Sequence, residues 1–180
     1  GTGLIPSTSI NRGLSSISAG IIAVVATNSA LAARYELNGQ AGGSAATSHF
    51  GLAMNNTNVF FFCWRAGTIN VDFIRAFPLT FTNAYYSGQR TAANAIALYA
   101  AKGSTVHVLV TNATGNQAGS IISGPLTPYV ANADGVPSAG TYSDHTLSFL
   151  GVTSGLTQTQ SSNYWRRVET LRTSLGGGVP

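Results

Sequence analysis

The side chains able to do chemistry are few, and their spacing argues against an active site. His49, His107 and His145 are the only histidines and Cys63 the only cysteine in a chain of 180 residues. A hydrolase needs a nucleophile, a base and an orienting acid brought together, and no Gly-x-Ser-x-Gly elbow is present to display a serine. Asp144-His145 sets an acid beside a base, but neighbours on a strand point to opposite faces. His107 alternates against Val106 and Val108 and is expected to face solvent or a neighbouring molecule. A single cysteine excludes an intrachain disulfide and a thiolate metal site. Between Phe62 and Trp64, Cys63 reads as a small buried hydrophobe. The histidines and the scattered acids show neither zinc spacing nor a calcium loop, and no glycine-rich phosphate cradle is present. The expectation is a protein that is not an enzyme and carries no cofactor and no metal.

The elements that would position these residues read as strands. Residues 21–27 form an apolar run of strand length. Leu31, Ala33, Tyr35 and Leu37 alternate with Ala32, Arg34 and Glu36, which predicts a strand closed by a turn at Asn38-Gly39. Residues 40–48 read as a small flexible piece. Residues 60–64 and 69–73 make two strands around Gly67; in the second, Ile69, Val71 and Phe73 share one face and Thr68, Asn70 and Asp72 the other. Beyond Pro78 a turn is expected at Ser87-Gly88. Strands at 95–99 and 106–110 are joined by Lys102-Gly103-Ser104. Residues 121–130, broken by Pro125 and Pro128, read as an edge or connector, and Leu147 and Phe149 mark a further strand. Two places compete for helix: the alanine-rich residues 89–101, and a stripe of Trp165, Val168, Leu171 and Leu175. Periodicity leaves 163–175 open between strand and helix. About eight strands at intervals of about 8–12 residues, broken by Gly and Pro loops, predict an all-β sandwich or barrel. Residues 1–20 read as an extended arm, 21–175 as one domain and 176–180, with Gly176-Gly177-Gly178, as a flexible tail.

Composition narrows the class of function. Hydrophobic residues make up 44% of the chain, enough for one core, while charged residues make up only 8%, against about 25% in soluble proteins generally. Polarity is carried by Ser, Thr, Asn, Gln and Gly, so much of the surface is expected to meet other protein. The net charge of +4 comes without a run of Lys or Arg that would neutralise a phosphate track. Arg166, Arg167 and Arg172 are the one cluster of basic residues. On a strand, adjacent arginines face opposite ways, which favours a subunit contact over weak non-specific RNA binding. No run of 18 apolar residues suggests a membrane span. The Gly1-Thr2-Gly3 start, without methionine, is expected of a processed product such as one released from a polyprotein. The triplets beginning at Asn55 and Asn112 match the glycan acceptor pattern, and whether they are used is left open.

The tract from Phe60 to Arg75, through Trp64-Arg65-Ala66-Gly67-Thr68-Ile69-Asn70-Val71, resembles the Trp-x-x-Gly-Thr/Ser-Ile/Leu-x-Val turn and strand of picorna-like virus coat proteins, most closely the small coat subunits of the comovirus and secovirus group. The resemblance implies an eight-stranded antiparallel jelly-roll sandwich with short helices in its loops. It also implies a structural capsid subunit that assembles, with copies of itself and companion coat proteins from one polyprotein, into an icosahedral shell around an RNA genome in the virion. Phe60, Phe62, Trp64, Gly67, Ile69, Val71 and Phe73 are then the core and assembly candidates, and Arg166, Arg167 and Arg172 the candidates for RNA or interface contacts.

Three other readings compete. Low charge and abundant Ser, Thr, Asn and Gly equally suit an extracellular filament or fimbria-like subunit whose N-terminal arm completes a neighbour's sheet. A lectin-like binding sandwich would want exposed aromatics beside Asp and Asn, and the chain has five acids in total. Thr57-Asn58-Val59 with Trp64-Arg65-Ala66-Gly67, and Glu169-Thr170-Leu171-Arg172, resemble the strand and the Glu-x-x-Arg helix of ribosome-inactivating RNA N-glycosidases. In that family the glutamate stabilises an oxocarbenium ion and the arginine assists the departing adenine. The family places a tryptophan and a further domain after that helix, whereas here eight residues follow Arg172.

Overall fold

A computed structural model of the chain describes residues 18–27, 34–41, 48–54, 58–65, 73–76, 84–102, 105–113, 127–128, 132–133, 136–137 and 146–176. Its strands are β1 (Ala19–Thr27), β2 (Arg34–Ala41), β3 (Ser48–Met54), β4 (Val59–Arg65), β5 (Phe73–Ala76), β6 (Tyr85–Ala92), β7 (Ala95–Lys102), β8 (Thr105–Asn112), the two-residue pieces β9 (Thr127–Pro128), β10 (Asn132–Ala133) and β11 (Val136–Pro137), and β12 (Thr146–Thr153). One helix, α1 (Gln158–Ser174), follows. One sheet runs β12-β1-β6-β7-β8, and a second runs β11-β10-β2-β3-β4-β5 with β9 also paired to β2. Pairing is antiparallel except where Ala133 of β10 meets Gln40 of β2. The architecture is thus an antiparallel β-sandwich with one helix, as an all-β reading requires.

The first sheet is central, and this explains why its strands are apolar at consecutive positions. Ile21, Ala23 and Val25 of β1, Tyr86 of β6 and Ile96, Leu98 and Ala100 of β7 turn to one face, where Phe50, Leu52, Phe61 and Cys63 of the second sheet meet them. Ile22, Val24, Tyr85, Ala97, Tyr99 and Ala101 turn to the other face, beneath Trp165 and Val168 of α1. Alternate residues of a strand face opposite ways, so a strand covered on both sides must be apolar at both phases. In β4 the buried phase is Val59, Phe61 and Cys63, and Phe60 is half-buried. Phe61 meets Phe50 edge-on, with ring centroids 6.1 Å apart.

Several local expectations are corrected. Asn38-Gly39 is not a turn: it lies inside β2, opposite Gly51 and Phe50 of β3, with Asn38 also paired to Thr127. Ser87-Gly88 is likewise interior to β6, paired to β1 on one side and β7 on the other. Turn propensity yields in both places to pairing with two neighbouring strands. Residues 89–101 are not helical, since the Ala93-Asn94 turn closes the β6–β7 hairpin within them. The chain has more strands than the eight expected, because β3, β6 and the three two-residue pieces carry no clean alternation. Ala19 and Gly20, assigned to the arm, are the first residues of β1.

The open segment 163–175 is helix. Thr157 caps it: its hydroxyl accepts from the Gln160 N–H while the Gln160 side chain accepts from the Thr157 N–H, a capping box. Thr-x-x-Gln is the spacing that marks such a start in sequence. Arg172 sits in the last turn, where a cation suits the helix dipole. Of the expected stripe, Trp165 and Val168 are buried, but Leu171 is 54% exposed and Leu175 76% exposed. Among the described residues no helix is long and apolar enough to cross a membrane.

Three tyrosines of the central sheet make the fold sensitive to alkali. Burial raises the phenols of Tyr85, Tyr86 and Tyr99 above the ordinary value of 10.0, with hydrogen bonds from Ser161 and Ser87 opposing the shift at Tyr85. A raised folded-state value means that stability is complete below the unfolded value and declines as pH climbs past it. Denaturant midpoints should therefore be flat approaching pH 10 and fall above it, with phenolate absorbance appearing together with unfolding. Native-state titration of all tyrosines near pH 10 with no loss of stability would contradict this packing.

Candidate functional site on the helix

Two polar constellations meet at α1, one buried beneath it and one on its surface. The buried one grows from β6, whose helix-facing residues Tyr85, Ser87 and Gln89 are fully covered. The Tyr85 hydroxyl and Ser161 Oγ are 2.7 Å apart, and the Gln89 amide donates to Ser87 Oγ at 2.7 Å. Gln89 Oε1 in turn accepts from the Leu156 N–H at 2.9 Å and from the Thr153 hydroxyl at 3.3 Å. This chain of hydrogen bonds pairs the Tyr85, Ser87 and Gln89 side chains and ties β6 to the segment entering the helix. Trp165 closes the layer, its ring 5.0 Å from that of Tyr85. These bonds tie the helix and the segment that enters it to β6.

Arg90 makes a second buried tie. Its Nη2 donates to the Cys63 carbonyl at 2.8 Å and its Nη1 to the Ala93 carbonyl at 2.6 Å. The side chain thereby joins β6 of the central sheet to β4 of the other. Sequence reasoning missed Tyr85, Ser87, Gln89, Arg90 and Ser161 alike. The available signal was the spacing Tyr85, Ser87, Gln89, a period of two that the turn reading of Ser87-Gly88 hid.

The surface constellation is a shallow recess of about 190 Å³ lined by Gln160, Asn163, Tyr164 and Arg167. Positions i, i+3, i+4 and i+7 share one side of a helix. Gln160, Asn163 and Arg167 are exposed and Tyr164 is half-buried. Tyr164 stands against Phe149 of β12 at a centroid distance of 6.2 Å and 62° between planes, which fixes its ring. The Gln160 carbonyl oxygen accepts from the Thr157 N–H, which leaves the amide Nε2 as that side chain's donor group. Among the described residues no carboxylate lines the recess.

The residues singled out from sequence are distributed as follows. Arg166 and Arg167 are both exposed on α1, so the strand geometry that separated them by face is overturned: successive helix positions differ by about 100°. Arg172 Nη1 instead pairs with Glu169 Oε2 at 3.0 Å, one turn apart on the same helix. Phe60, Phe62 and Trp64 lie on β4 and Phe73 begins β5, opposite Phe62. The side chains of Phe62, Trp64 and Phe73 lie outside the described residues, as do Gly67, Ile69 and Val71 entirely. His107 is exposed on β8, while His145 and Asn55 lie outside the described residues. Asn112 ends β8, opposite Ile96. Cys63 is buried, as a small hydrophobe should be. Among the described residues no group of His, Cys, Asp and Glu is placed to hold a metal ion.

No protein-family model matches the chain, and no curated protein matches it in sequence. Its fold is shared. The CBM40 of Ruminococcus gnavus IT-sialidase is similar to it with a TM-score of 0.59 at 14% identity, over 90% of this chain and 95% of that one. That neighbour is a carbohydrate-binding module, and at this identity the likeness is one of fold.

Proposed function

We propose that the chain is a non-catalytic, glycan-binding β-sandwich module. The observation that carries the reading is the end-to-end likeness to a carbohydrate-binding module, with 90% of this chain and 95% of the neighbour aligned. The described residues add compatible chemistry. The buried Tyr85, Ser87 and Gln89 side chains are held in structural hydrogen bonds, and the surface recess on α1 combines amides, a tyrosine and an arginine. Such donors suit the hydroxyl and ring oxygens of sugars, and an aromatic ring suits their C–H faces. The test is a glycan array spanning neutral and acidic oligosaccharides, probed with the purified chain. Reproducible binding to a structurally related set of glycans is expected; uniform absence of binding would overturn the reading.

A second reading, the coat-type structural subunit assembling with itself and companion subunits around an RNA genome, is favoured by one specific observation: 8% charged residues is too few to keep a large free surface dispersed. Its finer form is a jelly-roll winding, and the insertion of β1 between β6 and β12 is consistent with a Greek-key closure. Negative-stain imaging of purified protein separates this reading, which requires closed shells, from filaments and from a monomeric module.

A further inference from the structure

We infer that the recess on α1 binds an acidic saccharide, with Arg167 meeting its carboxylate, an inference that rests on the glycan-binding reading and gives it a site and a ligand class. The recess supplies hydrogen-bond donors in excess: the Gln160 amide, the Asn163 amide, the Tyr164 hydroxyl and the Arg167 guanidinium line it together. Gln160 contributes as a donor because its carbonyl oxygen is held in the capping box. Arg167 is exposed and makes no ion pair among the described residues, in contrast to Arg172 on the same helix, whose guanidinium meets Glu169 at 3.0 Å.

A donor-rich recess with no carboxylate among its described lining residues favours an oxygen-rich anion over a cation or an apolar ligand. The planar guanidinium fork matches a carboxylate in two parallel hydrogen bonds. Tyr164, braced by Phe149, adds a ring of set orientation against which a sugar ring can pack. A recess of about 190 Å³ accommodates a sugar residue, not an extended polymer face, so recognition centres on one uronic-acid-type unit with weaker contacts to its neighbours. The competing occupant is RNA phosphate, for which the adjacent exposed Arg166 would also be used.

The experiment measures affinity of the whole chain for three probes: tri-galacturonate, the neutral galactotriose of the same length, and single-stranded poly(U). Tri-galacturonate is expected to bind about tenfold or more tightly than galactotriose, and Arg167→Gln to remove that preference, the scale of one lost charge-assisted hydrogen-bond pair. Tyr164→Ala should weaken both saccharides, whereas Arg166→Gln should leave both unchanged. Arg167 and Arg166 are exposed, so their substitution leaves the fold intact, and circular dichroism checks this. Acidic glycan binding unaffected by Arg167→Gln overturns the site while leaving the glycan-binding reading standing. Absence of binding to every glycan on the array overturns both. Tighter binding to poly(U) than to tri-galacturonate, lost equally in Arg166→Gln and Arg167→Gln, overturns the saccharide assignment in favour of RNA.

Discussion

Replacing Trp165 by alanine is expected to free the helix from the sheet and remove about 3–5 kcal/mol of stability, the usual cost of emptying a large aromatic site. Trp165 is 1% exposed, the largest of the fully buried side chains among the described residues. It is packed on Tyr85 with ring centroids 5.0 Å apart and an interplanar angle of 35°. The same layer contains Ile22, Val24, Ala97, Tyr99, Ala101 and Val106, against which Phe149, Leu156 and Tyr164 also pack. A domain of this size has a total stability of about 5–15 kcal/mol, so the loss is a large share of the whole. Urea denaturation followed by far-ultraviolet circular dichroism should show a much lower midpoint, and the uncovered apolar face should promote association. Trp165→Phe should recover much of the loss by retaining an aromatic over Tyr85. A wild-type midpoint for Trp165→Ala would show that the helix contributes little to holding the fold.

The second large effect is expected at Gly88 of β6, which lies directly against Phe61 of the other sheet. A Cβ added there would overlap the Phe61 ring and the Phe61 Cβ. Because the stem of the side chain is involved, a ring rotation does not relieve the clash. Overpacking of this kind costs about 1–3 kcal/mol and occasionally more, so Gly88→Ala should lower the denaturation midpoint clearly. Phe61→Ala alone should cost about 3–5 kcal/mol by leaving a cavity beside Phe50. The double variant should be less destabilised than the sum, with a coupling of about 0.5–3 kcal/mol, since the new methyl enters the space that the ring vacated. Strict additivity, or a Gly88→Ala protein as stable as the parent, would contradict the observed packing of Phe61 of β4 on Gly88 of β6.

Arg90 belongs to the same contact. A buried guanidinium donating to the Cys63 and Ala93 carbonyls secures what the close approach of Gly88 and Phe61 permits. The sandwich is therefore joined by a ring, a missing side chain and a charged side chain acting within one short stretch of β6. The helix is joined from the opposite face of the same strand by Tyr85 and by Ser87 through Ser161. β6 is in this sense the hinge of the packing, and it is also the strand whose sequence least resembles one.

What the sequence by itself determined is the class of the fold and the strands whose composition leaves no alternative. The apolar run in β1, the Val-rich β8 and the Leu147–Phe149 strand are recoverable because β-branched and aromatic residues bury well on a pleated surface wherever their partners lie. Only the tertiary structure decided the rest. Ser87, Gly88, Gln89 and Arg90 form a strand because Phe61, Ser161 and the Leu156 N–H supply their partners, all remote in sequence, and no local propensity encodes them. Asn38-Gly39 lies in a strand because two neighbours pair with it. The helix at residues 158–174 was signalled by Thr157 and Gln160, but its buried side was not: the sheet covers Ser161, Trp165 and Val168 and leaves Leu171 and Leu175 in the open. The recess on the adjoining flank of that helix, where Tyr164 borders the packed layer, exists for the same reason. Docking Trp165 on Tyr85 sets the rotation of α1, and that rotation carries Gln160, Asn163, Tyr164 and Arg167 to the surface together.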